Sequence, residues 1–180
     1  MKFTLIAALS VLSTLVSGSA LPDLTRRGTV IRPAIGIMIE EKFPDYDFPP
    51  INAVEVSRTN GADNVRSLLG FVVPACTGTC TFSFSDASTA TGSGQINLFT
   101  LGWYPVFGNT WNSKPFTNIQ LGTFQASTTG SGPATVVQNF GLTFVCPTTT
   151  TNLGYEVQPV NDNDFVLWDI TNGGLILTCG

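Results

Sequence analysis

Histidine is absent from all 180 residues, which removes the commonest general base and the commonest metal ligand together. Charged residues make up only 11% of the chain, and no block of basic residues occurs, so nucleic acid and anionic membrane are poor partners. No Asn-x-Ser/Thr sequon is present, and N-linked glycan is not expected. A G-x-S-x-G nucleophile elbow is also missing. Beyond the first twenty residues no apolar run is long enough for a membrane span, and the C-terminus carries no lipid-anchor signal.

What the N-terminus does hold is a basic Lys2, an apolar run from Phe3 to Val16 and the small residues Gly18-Ser19-Ala20. This pattern predicts a secretory signal peptide over residues 1–20. Arg26-Arg27 follows a few residues later, where a dibasic protease would trim a short propeptide, 21–27. Two solvated arginines in a frayed terminus are the alternative reading. Residues 28–180 then number 180 − 27 = 153, enough to bury the core of one domain and too few for two. In that stretch 5 basic residues face 11 acidic ones, a net charge near −6.

Four cysteines remain, Cys76, Cys80, Cys146 and Cys179. In a secreted domain they read as two disulfides, with three pairings open. Their spacing lacks the repeated C-x-x-C of a zinc site, so no metal or cofactor is expected.

Short β-branched and aromatic runs recur between Gly, Pro, Asn and Ser clusters, with almost nothing of helical period. They predict an all-β, antiparallel sandwich, jelly-roll-like and disulfide-bonded. The expected strands are Val30 to Ile39, Ala53 to Arg58, Leu68 to Val73, Thr81 to Ser85, Gln95 to Leu101, Gln120 to Gln125, Ala134 to Gln138, Leu142 to Val145, Tyr155 to Val160, Phe165 to Ile170 and Leu175 to Thr178. In Thr81-Phe82-Ser83-Phe84-Ser85 the rings alternate with hydroxyls, so Phe82 and Phe84 belong to the core. Ser88 to Gly94, Thr128 to Gly132 and Thr148 to Thr151 read as loop tips.

The segment from Trp103 to Asn118 differs. Trp103, Tyr104, Phe107, Trp111 and Phe116 put five aromatics into one irregular connection, and long ordered loops are where function tends to sit. Aromatic faces stack on sugar rings, and Asn112 or Lys114 can bond hydroxyls. Trp103, Tyr104, Trp111 and Asn112 are therefore the candidate ligand-binding residues, cell-wall polysaccharide the candidate partner. The competing role is anchorage of the loop on the sandwich, which is the first reading for Trp111 and, by a smaller margin, for Trp103 and Tyr104.

From roughly Val54 to Leu177 the chain also resembles a family. The residues that carry the resemblance are Leu69-Gly70-Phe71-Val72-Val73-Pro74, Thr79-Cys80-Thr81-Phe82-Ser83-Phe84, Gly92-Ser93-Gly94 and Ile96-Asn97-Leu98-Phe99. Thr110-Trp111-Asn112-Ser113-Lys114-Pro115, Leu121-Gly122-Thr123-Phe124, Phe144-Val145-Cys146-Pro147, Tyr155-Glu156-Val157 and Asn161-Asp162-Asn163-Asp164 before Trp168 continue it. Together they resemble the fungal ubiquitin 3 binding protein C-terminal domain family, called But-two. The resemblance implies a secreted or wall-associated fungal protein and a structural Cys80–Cys146 bridge, which leaves Cys76 with Cys179. A short Cys76–Cys80 closure stays open beside it. The binding activity in the family label belongs to a ubiquitin-like machinery, at odds with a signal peptide, and is not carried over.

For catalysis without histidine the base would have to be Lys42, Lys114 or a carboxylate. A glycosidase needs two carboxylates, and Glu156, in an alternating strand beside Tyr155, is the candidate. The first reading of Glu156 is a solvent-facing strand residue. Asp162 and Asp164 lie in an oxygen-rich turn that could hold calcium, yet Asn and Asp are ordinary turn formers and the EF-hand pattern is not met. Glu40-Glu41 and Asp45-Tyr46-Asp47 read as an acidic solvated loop. The expectation is a secreted, non-enzymatic module of a cell surface or wall. A carboxylate-based carbohydrate-active enzyme and an effector-like protein-binding module are the alternatives.

Overall fold

The computed structural model describes residues 28–49, 51–87, 89–129 and 131–180. The predicted signal peptide and the dibasic site lie outside the described residues. Among those described, every regular element is a strand. In chain order they are β1 (Thr29–Ile31), β2 (Ile35–Glu40), β3 (Ala53–Thr59), β4 (Ala62–Val73), β5 (Thr79–Phe84), β6 (Thr89–Gly92), β7 (Gln95–Leu101), β8 (Thr117–Gln125), β9 (Thr135–Asn139), β10 (Thr143–Val145), β11 (Thr151–Pro159), β12 (Asp164–Asp169) and β13 (Leu175–Cys179).

All pairings are antiparallel. A four-stranded sheet runs β1-β13-β5-β10, and a nine-stranded curled sheet runs β6-β12-β3-β4-β11-β7-β8-β9 with β2 beside β4. This is the disulfide-bonded, jelly-roll-like sandwich that the strand pattern predicts. Two details of the pattern are corrected. The run from Val30 to Ile39 is two strands, because Pro33 lacks an N–H and fixes its φ, so the chain leaves one sheet there and joins the other. Thr89–Gly92, expected to be part of a loop, is an edge strand against Phe165 to Leu167.

The β3–β4 turn is Asn60-Gly61, with φ of 51° and 75°. Those positive values suit the two-residue hairpin turn for which Asn-Gly is the preferred sequence.

Between the sheets lies the main core. Phe82 and Phe84 on β5 are buried, as their alternation with Thr81 and Ser83 requires. Phe82 meets Phe71 at 5.7 Å and Tyr155 at 4.7 Å, and Phe84 meets Trp168 at 5.3 Å, all edge to face. Each such contact contributes about 1 kcal/mol beyond burial itself.

The disulfides are Cys80–Cys146 and Cys76–Cys179, with Cα separations of 5.0 and 6.5 Å. The first closes β5 onto the end of β10. The second ties the β4–β5 connection to the end of β13. Two such bridges are compatible with an oxidising, extracellular setting.

Candidate functional site

A strand has two faces, and β11 uses both. Tyr155 and Val157 enter the main core, and Glu156 points to the opposite side of the sheet. That side is not open water. The connection between β7 and β8, residues 102–116, folds back over it and covers Ile35, Ile37 and Ile39 of β2, Leu68 of β4 and Leu101 with the rings of Tyr104 and Trp111. Glu156 is fully buried. The solvent-facing reading of Glu156 is thus corrected: the period of two holds, but its outer face lies under a roof.

The sequence builds that roof from local parts. Thr110 and Ser113 bond each other's backbone N–H through their hydroxyls, at 3.3 and 2.9 Å, and Lys114 N–H donates to the Thr110 carbonyl at 2.9 Å. Asn109 accepts from Val106 N–H at 2.9 Å. These bonds satisfy the backbone of a segment that has no strand partner. At the roof's underside Gly70 is required, because a Cβ there would collide with Ile35 and the Tyr104 ring.

Beneath the roof the Glu156 carboxylate accepts four bonds. Oε1 takes Arg66 Nη1 at 3.0 Å and Gln158 Nε2 at 3.1 Å; Oε2 takes Lys114 Nζ at 2.8 Å and the Thr117 hydroxyl. Lys114 also donates to Thr117 Oγ1 at 2.6 Å. The Arg66 guanidinium lies 4.4 Å over the Trp111 ring, so one cation serves both the carboxylate and an aromatic face. Burial pushes the Glu156 carboxyl up, but the bonds from Lys114 and Thr117 and the charges of Lys114 and Arg66 outweigh it. The net effect holds the group below its ordinary 4.5. An ionised carboxylate with four donors has no acceptor left for a substrate proton.

The predicted ligand residues therefore divide. Trp111 is an anchor, packed on the Ile37–Leu68 cluster and on Arg66. Tyr104 is half-buried in the same cluster. Asn112 is exposed but engaged, its N–H donating to the Pro44 carbonyl at 3.0 Å and its amide to Asp45 at 2.8 Å. Trp103 alone is turned outward, 54% exposed, with the Phe116 ring edge-on at 5.6 Å. Beside it a cleft of about 240 Å3 is lined by Trp103, Tyr104, Thr100 and Asn152. Asn152 is exposed there and was not among the predicted site residues.

The oxygen-rich turn is used in another way. Asp164 is buried; its Oδ1 accepts from the Ser93 N–H and hydroxyl, each at 2.7 Å, and its Oδ2 from Asn161 N–H at 2.7 Å. Asp162 lies across from Gly61, whose N–H bonds the Asp162 carbonyl at 3.0 Å. Among the described residues the only close set of three metal-type donors is sulfur, Cys76, Cys146 and Cys179, within 4.8 Å of one another, and all three are in disulfides.

Arg66, Thr117 and Gln158 were missed from sequence. A usable signal existed: a Glu in a central strand between apolar neighbours needs cations, and residues 28–180 offer only 5. Two of these are spent on Glu156.

No protein-family model matches the chain, and no curated protein matches it. Among solved structures, the K3 cleaved adhesin domain of Lys-gingipain from Porphyromonas gingivalis w83 superposes with a TM-score of 0.35. It is 17% identical, and the match covers 82% of this chain and 94% of that one. Nothing about function follows from a superposition that loose.

Proposed function

We propose that this chain is a secreted, non-enzymatic module of a fungal cell surface or wall, of the But-two type, that holds glycan at the Trp103 cleft. The observation that carries the proposal is the outward Trp103 face. A large aromatic ring left in water on a rigid support, beside the Asn152 amide, offers a stacking surface with a hydrogen-bonding edge, the two things a sugar ring uses. The support is rigid because Trp111, Lys114 and Arg66 lock the roof to the sheet on either side of Glu156.

The same lock argues against hydrolysis. A glycosidase needs a pair of carboxylates, one protonated or both free to react. Glu156 is ionised and saturated, and its four partners are two cations, a hydroxyl and an amide.

The test is cosedimentation of the folded protein with chitin, β-glucan and isolated fungal wall. Pelleting with one of them, lost in Trp103→Ala and kept in Asn112→Ala, is the expected result. Pelleting with none, or unchanged pelleting of a folded Trp103→Ala, overturns the proposal. Release of reducing sugar that disappears in Glu156→Gln would overturn its non-enzymatic part.

A further inference from the structure

Away from the Trp103 cleft, the acidic loop after β2 forms a second concavity. Phe43, Tyr46 and Phe48 line a hollow of about 310 Å3. The Tyr46 and Phe48 rings meet edge to face, 4.7 Å apart between centroids and 73° to one another, and Phe43 lines the same hollow. Phe43 and Tyr46 are 50% and 57% exposed, so these rings do not form a buried core.

Internal hydrogen bonds fix the shape of the loop. Phe43 N–H donates to the Glu40 carbonyl at 3.2 Å and Tyr46 N–H to the Phe43 carbonyl at 3.1 Å. From outside, Asn112 grips the Pro44 carbonyl and the Asp45 carboxylate, and Glu41 grips Asn64 through backbone and side chain. Asp45 and Asp47 flank Tyr46, and residues 40–48 hold four acidic side chains against Lys42.

We propose that this aromatic hollow is a binding site for a small soluble compound bearing a quaternary ammonium group. Three aromatic rings line the hollow, and the acidic loop adds net negative charge, so a cation is favoured. The lining offers almost no polar atoms beyond the Tyr46 hydroxyl. A bare ammonium would lose water there without replacement, whereas an alkylated one has little to lose. A sugar would find too few hydrogen-bond partners. A phosphate-bearing lipid headgroup would meet like charge on Asp45 and Asp47.

The site goes beyond the glycan reading and does not depend on it. Its test is a titration followed by chemical shifts, with choline, its neutral tert-butyl isostere, ethanolamine and phosphatidylcholine vesicles. Choline should bind saturably, and the isostere and ethanolamine about tenfold more weakly. Tyr46→Leu and Phe48→Leu keep apolar volume and remove the ring face; each should weaken choline by roughly threefold to thirtyfold while glycan pelleting through Trp103 is unchanged. Equal binding of choline and its isostere, tighter binding to the vesicles, choline binding unaffected in folded Leu variants, or no saturable shift each overturns the proposal.

Discussion

The Lys114 ammonium lies 2.8 Å from Oε2 of Glu156, joining a surface loop to the middle of a central strand 42 residues away. Arg66 reaches the other carboxylate oxygen from the neighbouring strand. A buried charge with its partner removed is costly, in a range of about 3–5 kcal/mol. Glu156→Gln, which strands two cations, should therefore lower the free energy of unfolding by about 3 kcal/mol. Lys114→Met should do the same, with less than additive loss in the double variant. Urea denaturation of the four proteins reads this directly, and additivity would mean that the two residues act separately.

The same carboxylate sets an acid limit. Its folded-state value is depressed below 4.5, so its contribution to stability is complete above the unfolded-state value. That contribution is lost as pH falls from about 4.5 through the folded-state value. No histidine titrates above that range. Unfolding midpoints should be nearly flat from about pH 8 to 5 and fall below that. In Glu156→Gln the acid slope should be shallower, and an equal slope would assign the acid limit to other carboxylates.

Reduction should proceed in two steps. Cys80 and Cys146 are buried, while Cys76 is partly open to solvent. Mild thiol should open Cys76–Cys179 first, as two alkylated cysteines detected by mass spectrometry. Replacing Cys76 and Cys179 together by alanine frees a loop of 103 residues and should cost about 5 kcal/mol in the chain-entropy account. Simultaneous loss of both bridges would contradict this order.

Gly70→Ala should test the roof from below. Its Cβ would press on Ile35 and on the Tyr104 ring, and overpacking of this kind costs about 1–3 kcal/mol. Because the roof yields more readily than the sheet, Tyr104 and Trp111 should gain exposure, read as a red shift of tryptophan emission with the far-ultraviolet spectrum retained. An unshifted spectrum at wild-type stability would mean that the roof is loosely seated.

Much of this arrangement is legible in the residues themselves. Gln95–Leu101 is bounded as its alternation predicts, and the cysteine pairs are those that the family resemblance implies. Local pattern fails where a distant segment decides. Thr89–Gly92 is small and polar and has no strand signal of its own; β12 supplies its hydrogen bonds. Glu156 has the period of an outward residue, yet whether outward means wet depends on a loop more than forty residues earlier. Trp103 and Trp111 look alike in sequence and part company only because Arg66 and Leu68 lie beneath one of them.

The pairing of Thr29 with Cys179 brings Gly28 beside Gly180, whose ideal Cβ would sit 3.3 Å from the Gly28 Cα. The path through the thirteen strands of the described residues is therefore very nearly a closed circuit. A circular permutant joining residues 180 and 28 through a few glycines and opened between the exposed Thr128 and Thr129 should keep both sheets and both disulfides. In such a ring the order in which strands leave the ribosome would change while the folded object would not, which separates what this architecture owes to its contacts from what it owes to the order of synthesis.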